Sequence, residues 1–189
     1  GKHVDSKTKK EKIMPKLKYD PKKGLISTAG SGIDLVSGLG AGKGLAYRTA
    51  IVESSASTLA PTVAQSGTIF SLTTAGAVTV TLPAAQAGLH YEFFIPTTKT
   101  GTLTIDTASS ADVLVGAISM TTVGAVVRTS AGNTTAFASP ASADHQYVAD
   151  ADTKGRSAGT HLVYQCINDE QWLVSGFAIS AGATVTPFT

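Results

Sequence analysis

Four histidines, one cysteine and thirteen acids are the groups from which this 189-residue chain could build a catalytic or metal site. The histidines, His3, His90, His145 and His161, are scattered, and none has another two or four residues away. No local metal-ligand spacing therefore exists. The lone Cys166 excludes an internal disulfide and a cysteine-cluster zinc site, and its place in the run Leu162–Ile167 reads as a small buried hydrophobe. Asp150-Ala151-Asp152-Thr153-Lys154-Gly155 opens like a calcium loop. Lys154 replaces its third ligand, however, and His161 stands where a bidentate Glu is required, so an exposed turn is expected. Asp169 and Glu170 are adjacent, and neighbouring strand residues point to opposite faces, which makes them poor partners for acid–base chemistry. The run Gly38-Leu39-Gly40-Ala41-Gly42-Lys43-Gly44 lacks the glycine a phosphate loop needs at Ser37 and the hydroxyl it needs at Gly44. It reads as a flexible connector. Tyr91, Tyr147, Tyr164 and Trp172 could stack on sugars, but each sits in an apolar strand pattern and is expected in the core. The expectation is of no catalytic residue, no cofactor and no metal.

The elements that carry these residues follow from composition and period. The chain holds 27 Ala, 26 Thr, 19 Gly and 18 Ser, with only 15% charged residues, so its core must be thin. No apolar run reaches the roughly 18 residues of a membrane helix, and no apolar signal segment follows the charged N-terminal residues. The net charge of +2 divides unevenly. Residues 1–23 carry nine Lys against Asp5, Glu11 and Asp20, whereas residues 24–189 carry six Lys and Arg against ten acids. Pro15 and Pro21 interrupt any long helix in the basic part, which cannot bury enough to offset its ordering entropy. Nucleic acid, an acidic protein surface and solubility are all readings of such a tail. The absence of Arg and the single aromatic, Tyr19, favour a protein surface over nucleic acid. Residues 24–60 continue as a Gly-, Ser- and Ala-rich stretch, so residues 1–60 are expected to form an extended arm and linker.

From Thr62 onward the apolar period becomes two. Val78, Val80 and Leu82 alternate with Thr79 and Thr81, and Leu103 and Ile105 alternate with Thr102, Thr104 and Asp106. About ten short strands are expected between Thr68 and Ala178, separated by turns such as Ala75-Gly76, Ala87-Gly88, Thr100-Gly101 and Ala131-Gly132-Asn133. Asn133-Thr134-Thr135 fits a glycosylation sequon and is read as a surface hairpin. Strands of this spacing predict an all-β body over 61–189, an antiparallel β-sandwich of jelly-roll type.

Five stretches carry a resemblance: Gln65-Ser66-Gly67-Thr68-Ile69-Phe70, the Thr/Val strand ending at Leu82-Pro83 with its Gly88 turn and aromatic strand, Leu103-Thr104-Ile105-Asp106, Ala111-Asp112-Val113-Leu114-Val115-Gly116, and the closing Gln171–Gly176. Over roughly residues 62–178 the chain resembles β-rich virion proteins of tailed bacteriophages, capsid decoration (cement) proteins above all. That resemblance implies a non-enzymatic structural protein on the virion exterior, made in the host cytoplasm. It implies a homotrimer bound to the major capsid protein at capsomer junctions, with no membrane partner. The arm lysines Lys7, Lys9, Lys10, Lys12, Lys16, Lys18, Lys22 and Lys23 would then contact the capsid. The alternative is a tail-fibre or spike module that binds a host surface glycan. A depolymerase is a third reading, and no carboxylate constellation in the sequence favours it.

Overall fold

A computed structural model of the chain describes residues 17–20, 24–27, 49–122, 134–140 and 144–189. They fall into two units, Gly1–Arg48 and Thr49–Thr189. In the first, β1 (Leu17–Asp20) pairs antiparallel with β2 (Gly24–Ser27), Leu17 opposite Ser27 and Asp20 opposite Gly24.

The second unit is all-β. It contains β3 (Ile51–Ser54), β4 (Thr58–Leu59), β5 (Thr68–Leu72), β6 (Val78–Thr81), β7 (His90–Phe94) and β8 (Leu103–Asp106). After them come β9 (Val113–Thr122), β10 (Thr134–Pro140), β11 (Gln146–Ala149), β12 (His161–Asn168) and β13 (Gln171–Ser180). Among the described residues these form a seven-stranded sheet, β10-β9-β13-β12-β7-β5-β3, and a four-stranded sheet, β11-β8-β6-β4.

Both sheets are mixed, which corrects the expectation of an antiparallel body. The pairs β3/β5, β5/β7, β4/β6, β6/β8 and β13/β9 are parallel. The cause is the path of the chain. From β3 to β8 each successive strand enters the other sheet, so strands that become neighbours are two apart in sequence and run the same way. The turns at Ala75-Gly76, Ala87-Gly88 and Thr100-Gly101 are therefore crossings between sheets, where a hairpin would have paired adjacent strands. The later strands include the antiparallel neighbours β9/β10 and β12/β13. Ile51–Ser54 and Thr58–Leu59 lie within the stretch read as linker, yet they pair with β5 and β6 as members of the two sheets.

Alternation decides what is buried. Val78, Val80 and Leu82 are inside, with Thr79 and Thr81 exposed between them. Leu103 and Ile105 are likewise fully buried. The inward residues of both sheets belong to one hydrophobic cluster. Aromatic side chains are its largest units: Trp172, Tyr91, Tyr147, Tyr164, Phe70 and Phe93 head its fully buried members by volume. Phe70 stacks on Phe93 at 5.8 Å, Phe93 meets the edge of Tyr164 at 5.7 Å, and Tyr91 tilts against Trp172 at 6.0 Å. Such contacts contribute roughly 0.5–1.5 kcal/mol each beyond area burial. A few rings thus compensate for a body otherwise rich in Ala, Thr and Ser.

A candidate interaction face

The outward face of the seven-stranded sheet is set by the same alternation. Phe93 points inward on β7, so Phe94 must point out; Ala178 points inward on β13, so Phe177 must point out. Cross-strand register then lines these residues up. Phe94 lies opposite His161, His161 opposite Phe177, and Phe177 beside Ser119. The next row runs Ile51, Ile69, Glu92, Val163, Ser175, and a third runs His90, Gln165, Leu173, Val115. Ile51, Phe94, Leu173 and Phe177 are exposed, and so is Ile167 at the end of β12. Of the large exposed hydrophobic residues among those described, only Val63 and Val185 lie outside these strands.

One polar network crosses this face. Glu92 Oε2 is 2.9 Å from His161 Nε2, and Glu92 Oε1 is 3.6 Å from His90 Nε2. The His161 ring also meets Phe177 edge-on at 6.1 Å. The carboxylate is thereby held between two imidazoles, and the imidazole between carboxylate and ring. A carboxylate–imidazole pair is a possible source of general-base chemistry. Here its clearest consequence is positional, because it fixes a charged group within an apolar surface.

The residues singled out in sequence fall elsewhere. Cys166 is buried, donates through Sγ to the Asn168 carbonyl at 2.9 Å, and has its thiol pKa raised, chiefly by burial. It is held as a thiol. In the Asp150–Gly155 segment the carboxylates face cations: Asp150 pairs with Lys154 at 3.1 Å, and Asp152 Oδ1 accepts from Arg156 Nη2 at 2.7 Å and Nε at 2.9 Å. Among the described residues no group of three or more His, Cys, Asp or Glu could hold a metal ion. Tyr91, Tyr147, Tyr164 and Trp172 are all fully buried, and the exposed aromatic rings among the described residues are instead Phe94 and Phe177. Of the arm lysines, Lys18 is on β1; Lys7, Lys9, Lys10, Lys12, Lys16, Lys22 and Lys23 lie outside the described residues. So do Asn133 and the run Gly38–Gly44.

Two features escaped sequence reasoning. Lys99 is 1% exposed, and its Nζ donates to the Leu72 carbonyl at 2.7 Å and to the Thr74 carbonyl. Burial lowers its pKa. It fastens the end of β5 and the start of the crossing to β6, and nothing in Thr97-Thr98-Lys99-Thr100 distinguishes it from a surface lysine. The second is Gly176, whose φ of +124° and 2.3 Å approach of a hypothetical Cβ to the His161 carbonyl exclude a side chain inside β13.

No family model, curated protein or solved structure matches the chain. Among the described residues no helix is long and apolar enough to cross a membrane.

Proposed function

We propose that this chain is a structural virion protein that decorates a tailed-phage capsid, binding the outer surface of the major capsid protein at capsomer junctions. It works by contact and performs no catalysis. In this reading the two sheets pack as a β-sandwich, three bodies associate, and the lysine-rich arm adds a second, independent contact with the shell. Linking two contacts raises the effective concentration of each, which opposes expansion of a pressurised shell. The observation that carries the reading is the outward face of the seven-stranded sheet, where Phe94, Phe177, Leu173 and Ile51 are exposed together. Contiguous apolar surface of that kind marks a contact site. The virion itself enters through the sequence resemblance.

The alternative, a tail-fibre or spike module, gains from the same face, because the exposed rings of Phe94 and Phe177 are suited to stacking on a sugar. One experiment separates the two. Purified protein is incubated with capsids lacking it, and in parallel with host-surface polysaccharide. Cosedimentation at one copy per capsid subunit, weakened by salt and by deletion of residues 1–23, is the expected result. Retention on polysaccharide with no capsid binding overturns the decoration reading in favour of the alternative.

A further inference from the structure

We infer that the outward face of the seven-stranded sheet, centred on Phe94, His161 and Phe177, is where a second copy of this chain docks. The inference rests on the reading of the chain as a contact protein and names the surface and the occupant. Register is the first argument. Cross-strand pairing through β5 and β12 places Ile51 of β3, Phe94 of β7 and Leu173 and Phe177 of β13 on one face, and Ile167 stands at the irregular end of β12.

Area is the second. Ile51 is 67% exposed, Phe177 46%, Ile167 45%, Phe94 37% and Leu173 36%. At roughly 150–250 Å² per large side chain, these exposures leave about 400–500 Å² of apolar surface. A stable interface takes about 800 Å² from each partner, of which roughly 56–65% is apolar. The face therefore offers about what one side of such an interface requires.

Charge selects the occupant. The outward positions of this sheet's described strands carry Glu53, Glu92, His90 and His161, and no Lys or Arg. A polyanion finds no cation there, and a polycation finds only two carboxylates, one of them already between imidazoles. A near-neutral apolar partner fits best. Another copy of the chain provides such a surface at equal concentration. Its body carries acids in excess, but of these only Glu53 and Glu92 lie on this face, Glu92 between two imidazoles, so approach through it brings together less like charge than approach through the rest of the body.

Sedimentation velocity of the full chain, from low micromolar to hundreds of micromolar, tests this with three variants. Phe94→Asp and Phe177→Asp put a charge at the centre of the face, and Val185→Asp puts one at an exposed apolar site away from it. Thermal midpoints within a few degrees of the parent establish that each variant folds. The parent and Val185→Asp should associate, with both face variants weakened about tenfold or more. A parent that stays monomeric throughout overturns the inference, as do face variants that associate like the parent. If association survives in the face variants but capsid binding is lost, the face belongs to the capsid: the inference fails and the decoration reading stands. If the chain beginning at Thr49 associates and the full chain does not, the chain's own N-terminal residues cover the face, and the inference again fails.

Discussion

Two tyrosines in one core should respond oppositely to the same substitution. Tyr147 and Tyr164 are both fully buried. The Tyr147 hydroxyl donates to the carbonyls of Gly155 at 2.9 Å and Lys154 at 3.1 Å, tying β11 to the short helical turn Asp152–Lys154. Tyr147→Phe removes that donor. The Gly155 carbonyl keeps a partner in Thr160 Oγ1 at 3.1 Å, so the loss is mainly one hydrogen bond and one under-satisfied carbonyl. That amounts to about 1–2 kcal/mol of destabilisation. Tyr164 Oη, by contrast, has no hydrogen-bond partner among the described residues. An unpaired buried hydroxyl costs about 1–3 kcal/mol in desolvation, and Phe keeps the ring while removing that cost. Loss of the oxygen's van der Waals contacts takes back several tenths of a kcal/mol, leaving Tyr164→Phe stabilising by roughly 0.5–2 kcal/mol. Urea unfolding at neutral pH and fixed protein concentration, followed by far-ultraviolet dichroism and Trp172 fluorescence, should place the two midpoints on opposite sides of the parent. At about 2–4 °C per kcal/mol for a chain of this size, the thermal midpoints should differ by several degrees. Equal destabilisation by both variants would refute the reasoning, since Tyr164 would then have a bonding partner.

Alkaline pH should destabilise the body. Burial raises the pKa of Tyr91, Tyr147 and Tyr164, so above about pH 10 the folded state binds more protons than the unfolded state, and stability falls at about 1.4 kcal/mol per pH unit for each phenol kept neutral. Tyr147→Phe should remove one such increment from the slope measured by urea unfolding between pH 10 and about 11. Lys99 has the opposite sign: its lowered pKa means that stability rises as pH approaches the ordinary lysine value from below, and Lys99→Met should flatten that rise. Gly176→Ala should cost about 3 kcal/mol or more, read as a thermal shift, because it combines a strained φ with collision against the His161 carbonyl. A chain beginning at Thr49 should retain a cooperative thermal transition, whereas one beginning at Pro61 should lose much of its stability. The shorter chain lacks β3 and β4 and with them Val52 and Leu59, which pack against the core.

Much of the core was legible because a period of two assigns each residue to a face. Val78, Val80, Leu82, Leu103, Ile105 and Trp172 are all inside, as their alternation requires. Neighbours were not legible, because the same alternation serves a strand paired parallel or antiparallel. The crossings after β5, β6 and β7 use the small residues and glycines that also make hairpins. β4 is two residues long, below any periodic signal, and β3 follows a glycine-rich stretch that reads as linker. The strand β9 continues to Thr122 through Gly116, whose φ of +114° reads in sequence as a turn. Phe94 was hidden for another reason. Leu89-His90-Tyr91-Glu92-Phe93-Phe94-Ile95 is apolar enough that two-sided burial fits as well as alternation does.

The polar network on the outward face bears on how that ambiguity is resolved in the folded chain. A slip of β7 by one residue would exchange Phe93 for Phe94 inside, one ring for another, but would also expel the fully buried Tyr91 and Ile95. The same slip would turn Glu92 and His90 into the core, where an unpaired carboxylate costs several kcal/mol. It would also separate Glu92 from His161 across the β7/β12 pair. The ionisable residues in β7 therefore reinforce a register that Tyr91, Phe93 and Ile95 already favour by their burial. Correct register is in turn what places Phe94 beside His161 and Phe177 and joins them into one surface. Glu92 thus acts on the contact face through strand alignment, before any partner arrives.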